Sequence, residues 1–152
     1  MLDHALTGFL EAGLAIHLGT RNERLEPNGA RVAAVKVEPD REHVVAYVPT
    51  AGADRVLDDL RGNGQAALAF ARPVDDRSYQ IKGVFVSDRR ATAKERPLVM
   101  AQWEGLLRQL DAVGMPVVAT RHWATWPCVA VRLRVTALFN QTPGPNAGAP
   151  LS

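Results

Sequence analysis

The sequence holds a single cysteine, Cys128. No internal disulfide can form, and no cysteine pair can supply a zinc site. Long apolar runs are also missing; none approaches the roughly 20 residues that a membrane-spanning helix needs. The opening Met1-Leu2-Asp3-His4 places an acid where a secretory leader carries cations. Aromatic residues make up only 6% of the chain, and no basic strip is interleaved with them. The formal charge of +2 comes from 18 cations against 16 anions. The pI of about 9.0 therefore reflects a small excess rather than a basic face, which argues against nucleic acid as a partner. The motifs GxGxxG, the P-loop and GxSxG are absent. His4, His17, His43 and His122 show no metal-ligand spacing, so no metal site is expected. These absences point to a soluble cytoplasmic protein.

What is present is a globular composition, 47% apolar and 22% charged over 152 residues, enough for one domain with a buried core. Leu6, Phe9, Leu10 and Leu14 recur at helical spacing between Asp3 and Leu14. Six strands are expected, at Ala15–Thr20, Arg31–Glu38, His43–Val48, Gln65–Ala71, Ser78–Ser87 and Cys128–Phe139. Pro27-Asn28-Gly29 signals a hairpin turn between the first two. A short helix is predicted over Ala53–Arg61, stopped by Gly62-Asn63-Gly64, and a long amphipathic one from Ala93 to Val113. "GMPVVATRHWATWP" reads as a loop, in which Trp123 and Trp126 can pack over a ligand, a partner or the rim of the core. Residues 141–152, with prolines at 143, 145 and 150, read as an extended tail to a domain at 1–140. Many short strands with few helices predict a mainly β, α+β fold, a six-stranded closed or nearly closed barrel whose open edges the flanking helices cover.

The stretch "GARVAAVK" sets Arg31 and Lys36 five residues apart around small apolar residues. On a regular strand they would point to opposite faces, roughly 17 Å apart along the chain. One small anion could not be shared by both, but a long ligand, anionic at one end, could run along such a strand. Four pieces in this order, "RVAAVK", "YVPTAGADRV", "NGQAALAF" and "RSYQIKG", resemble the pyridoxamine 5'-phosphate oxidase-like, FMN-binding split-barrel family over about two thirds of the chain.

That resemblance implies an FMN cofactor, a homodimer with the flavin at its interface, and an oxidoreductase acting on a small organic substrate. It assigns cofactor contacts to Arg31, Val32, Ala33, Lys36, Val48, Pro49, Thr50, Arg55, Ser78, Gln80 and Lys82. Arg31, Lys36 and Arg55 are the candidate cations. Arg31 and Lys36 would serve different stretches of the cofactor, and which of the three meets the phosphate is open. Thr50 and the amides of the helix near Ala53 would add donors to the phosphate. Ala33 and Ala34 would leave room for the ring; Ser78, Gln80 and Lys82 would offer hydrogen bonds to ring or phosphate. The chain departs from the oxidases at Asp54, where a cation would stand, at Ser78, which replaces a glutamine, and in its last residues, which lack the Arg-Leu-His substrate motif. Pyridoxamine phosphate is thus not the indicated substrate, and no catalytic acid or base can be named. A non-catalytic flavin- or haem-binding module and a deazaflavin cofactor remain open at this stage. The proline-rich tail, Thr142–Leu151, is expected to lie along the dimer interface near the partner's cofactor.

Overall fold

The computed structural model describes residues 2–151, so Met1 and Ser152 lie outside the described residues. Helix α1 (His4–Leu10) starts on Asp3, whose carboxylate accepts the Leu6 amide at 2.7 Å. It stops four residues short of the predicted Leu14. Gly13 has φ +81°, and a Cβ there would lie 2.5 Å from the Gln102 carbonyl. The chain must leave the helix to cross a second helix at backbone contact.

Strands β1 (Ala15–Arg21), β2 (Pro27–Val32), β3 (Ala34–Val37), β4 (His43–Pro49), β5 (Gln65–Ala71), β6 (Ser78–Arg90) and β7 (Cys128–Asn140) form one antiparallel sheet, in the order β2-β1-β5-β6-β7-β4-β3. The predicted strand Arg31–Glu38 is divided at Ala33 between the end of one edge strand, β2, and the other, β3. β2 itself begins at Pro27, so Pro27-Asn28-Gly29 is strand rather than the predicted turn, and the chain turns at Asn22–Glu26 instead. Val32 pairs with Ile16 of β1, and Ala34 pairs with Tyr47 of β4. One continuous segment therefore joins both edges, and the sheet curls until they meet. The count is seven strands in this curl rather than the expected six, because Ala33 changes partner in mid-strand.

Inside the curl, Ile16, Leu18, Val32, Val35, Val44, Val48, Leu68, Phe70, Ile81 and Leu133 make the core with Leu6, Phe9 and Leu10 of α1. Helix α2 (Asp54–Asn63) adds Val56, Leu57 and Leu60 and ends on Gly64, whose φ of +73° suits glycine. Helix α3 (Arg96–Ala112), matching the predicted long helix, covers part of the outside of the sheet. A one-turn α4 (Val117–Thr120) interrupts the expected loop.

The tail is not simply extended. Pro143 and Pro145 lie in a turn closed by hydrogen bonds from Ala147 to Gly144 and from Ala149 to Asn146. The chain then returns as β8 (Pro150–Leu151), pairing with Phe139 and Leu138 of its own β7. Prolines set turn geometry here, and the single proline in β8 sits at its first residue, where a missing donor costs least. The Thr142 hydroxyl accepts the Ser78 amide at 3.0 Å.

Candidate functional site

The break at Ala33 changes how Arg31 and Lys36 relate. Val32 and Val35 both point into the core although they are three residues apart. The break thus adds a step to the alternation, and Arg31 and Lys36 both face outward, not oppositely as a regular strand would place them. Lys36 is solvent-exposed. Arg31 is not. Its guanidinium lies over the rings of Trp103, 4.7 Å from the centroid, and Trp123, 5.5 Å away. Its Nη2 donates to the Ala124 carbonyl, while Nη1 is buried without a partner. Burial lowers the Arg31 pKa from its ordinary value. It pushes the neighbouring Cys128 thiol up to about 12, despite the cation, so that thiol is neutral at ordinary pH.

Arg31 opens on a cleft of about 290 Å³ lined by Gly29, Ala30, Pro49, Ala51, Gly52 and Ala124. The chain passes from Pro49 through a 3₁₀ turn, Thr50–Gly52, into α2, whose N-terminus has no side-chain cap. Uncapped amides and an arginine with an unused donor suit an anionic oxygen. Arg55, in the first turn of α2, lines an adjoining groove with Glu26, Asp58 and Asp59. Asp59 is buried and accepts hydrogen bonds from Thr20 at 2.7 Å and Asn28 at 2.8 Å. The acids dilute the positive field around Arg55. Thr50 donates its hydroxyl to the Pro127 carbonyl at 3.1 Å, so it is not the free donor that sequence reasoning supposed.

The room expected over Ala33 and Ala34 is filled. Both are buried with Tyr47, Val99, Cys128 and Ala130. The Gln102 side chain of α3 clasps Val35, accepting its amide at 3.0 Å and donating to its carbonyl at 2.7 Å. Tyr47 donates to Glu95 at 2.9 Å, and Glu95 also takes two hydrogen bonds from Arg89. With Arg89 as the main cause, the Glu95 pKa falls to about 2. Val32 and Val48 turn their side chains into the core and Pro49 is buried, so these residues can offer a ligand only backbone.

Ser78, Gln80 and Lys82 do share one face of β6, as predicted, but not the Arg31 cleft. Register places Arg31, His17, Ala69 and Gln80 in one cross-strand row. Three strand spacings separate its ends, about 14 Å. Lys82 lies in the next row, its Nζ 5.3 Å from the Phe139 ring centroid. Glu38, Asp40 and His43 come within 4.8 Å of one another. Their oxygens are already engaged, Glu38 by Arg132 at 2.8 Å and Asp40 by His43 at 2.7 Å.

The same architecture occurs in solved proteins of very different sequence. HupZ of Group A Streptococcus is 17% identical over 97% of this chain and 100% of its own, with a TM-score of 0.58. An FMN-binding protein of Syntrophomonas wolfei is 13% identical, covering 96% of this chain and 83% of its own at a TM-score of 0.55. An F420 reductase is 17% identical over 85% and 91%, TM-score 0.56. The fold is the pyridoxamine 5'-phosphate oxidase-like split barrel. No family model matches the sequence, and no curated protein is similar to it.

Within this split barrel, the residues present suit the phosphate end of a flavin nucleotide at Arg31. They do not suit a ring lying over Ala33 and Ala34 while α3 is in place. Sequence reasoning missed Gln102, Trp103 and the Ala124 carbonyl. Trp103 looks like any core residue of an amphipathic helix, and a backbone carbonyl leaves no sequence signal. Trp123 and Trp126, in a proline-flanked loop, were both visible as potential walls; Trp123 meets Arg31, while Trp126 packs on the cluster around Ala33 and Tyr47.

Proposed function

We propose that this split barrel binds a flavin nucleotide, FMN, and serves as a flavin-dependent oxidoreductase for a small organic substrate. The observation that supports the reading is Arg31 itself: it lines a cleft beside an uncapped helix start and keeps one buried donor, Nη1, without a partner. Arg31 and the first amides of α2 would hold the phosphate, and Arg55 would add long-range attraction. Lys36, Ser78, Gln80 and Lys82 would meet other parts of the ligand or its neighbour across a homodimer interface. A bound flavin supplies hydride or single-electron transfer. The chain contributes binding and orientation, and no side chain is assigned as acid or base. A cytoplasmic location fits the single buried thiol. No helix among the described residues is long and apolar enough to cross a membrane.

The test is an absorption spectrum followed by titration. A yellow holoprotein bleached by reduced nicotinamide supports the reading. A Soret band points to haem, and a preference for F420 over FMN points to a deazaflavin. Arg31→Ala should weaken FMN by about 2 kcal/mol, roughly 30-fold, since it removes a charge-assisted hydrogen bond. Arg55→Ala should cost under about 1 kcal/mol because that residue is exposed. Riboflavin, lacking the phosphate, should bind wild type and both variants alike. Unchanged FMN affinity in Arg31→Ala would refute the phosphate assignment.

A further inference from the structure

Arg31 serves two masters in this fold. Between α3 and β7 the chain runs over residues 114–127, carrying Met115, Val117, Val118 and Trp123, each at least 40% exposed. The side-chain and turn hydrogen bonds of residues 116–124 are local: Ala119 to Pro116, Trp123 to Thr120, the Thr120 hydroxyl to Val117, and Arg121 to His122. Among the described residues, one hydrogen bond ties 116–124 to the barrel, from Arg31 Nη2 to the Ala124 carbonyl. Beside it, Trp123 packs on Trp103 with centroids 6.0 Å apart, and Arg31 lies against both rings.

We infer that residues 116–124 form a strap latched by Arg31, and that a phosphate entering the cleft releases it. The inference rests on the flavin reading for the ligand, but the latch stands on the geometry alone. A phosphate is held best by two parallel guanidinium donors. Nη1 is unpartnered, but Nη2 is spent on a neutral carbonyl. The guanidinium already strengthens its bond to the carbonyl, but a phosphate adds a full opposite charge and two acceptor oxygens that match the guanidinium fork, so the anion takes Nη2 and Ala124 lets go. With its one hydrogen bond gone, the strap keeps only the Trp123 contact and the packing of α4. The strap's exposed apolar residues then become free to move beside the cleft, where a small organic substrate would enter.

Hydrogen exchange of residues 116–124, read peptide by peptide on the full chain, tests this. Arg31→Ala should speed exchange there by roughly tenfold without ligand, as expected when local stability drops by one such bond. Trp123→Ala, at a partly exposed position, gives the same readout should the arginine variant fold poorly. It should also tighten FMN several-fold, because less strap must be displaced. Inorganic phosphate or FMN added to wild type should raise exchange in the same peptides. Slower exchange on ligand addition, or weaker FMN binding by Trp123→Ala, would show a lid that closes on the ligand and would overturn the proposal. Unchanged exchange in both variants would show that no latch exists. If phosphate acts but FMN does not, the flavin reading fails and the latch survives; if neither acts, release by anions is refuted.

Discussion

The outer surface of the curled sheet has two unlike halves. Over β3, β4 and the start of β7, helix α3 buries Ala34, Tyr47, Cys128 and Ala130. Over β1, β5 and β6, residues at the same outward positions stand open: His17, Ala69 and Lys82 are exposed. The strands differ accordingly. Six consecutive residues of β4, Val44–Pro49, are buried, as in a strand covered on both faces. In β1 and β5 burial alternates strictly, as in a sheet with one face in water. The comparison teaches that the half which the flavin resemblance assigned to the ring, Ala33 and Ala34, is the one the chain covers with its own helix. The half that remains free carries Gln80 and Lys82.

The largest effect should come from the covered half. Gln102→Leu keeps the volume but strands a buried amide and a buried carbonyl of Val35. The expected loss is about 2–4 kcal/mol, seen as a lower urea midpoint with unchanged slope. A loss under about 0.5 kcal/mol would mean that α3 is a loose cover. Next comes pH. Glu95 is depressed in the folded state to about 2 from an ordinary 4.5, with the Arg89 hydrogen bond as the largest cause. Its contribution is complete above 4.5 and is lost as pH falls from 4.5 toward 2. Glu95→Gln should flatten the acid side of the stability profile in that window; an unaltered profile would detach Glu95 from the stability of this half. Tyr47→Phe removes only the hydroxyl that donates to Glu95, so about 1 kcal/mol is expected in thermal melts. The smallest effect belongs to the open half. Ala69→Leu should change monomer stability by less than about 0.5 kcal/mol. A large loss of self-association in sedimentation would show that a second subunit covers this face, and would erase the contrast.

Much of the fold could be read directly. Strands β1, β4 and β5 fall within a residue or two of their sequence boundaries, because alternation or sustained apolarity and their turn residues all agree. Helices α2 and α3 were legible from apolar spacing and, for α2, its closing glycine. Arg31 was legible as one of two cations set around an apolar strand. Its surroundings were not. Trp103 comes from 72 residues later in the chain and the Ala124 carbonyl from 93 later, and neither carries a local mark of the meeting. The filled space above Ala33 and Ala34 was misread for the same reason. Small residues announce a close approach but not what approaches.

The sequence by itself determined the class of molecule: a one-domain, mainly β chain with alternating strands, an outlying amphipathic helix, and cations placed within a strand. These follow from local propensity and periodicity, which act over a few residues. Tertiary structure alone decided that Ala33 is where one strand changes partners, since both halves carry strand patterns and only closing the sheet forces the exchange. It decided that Arg31 and Lys36 share a face, because that break shifts the alternation. And it decided that the arginine is held by a strap rather than offered to solvent, since the bond joins side chain and backbone from distant parts of the chain, which become neighbours only when the sheet curls and α3 packs against it.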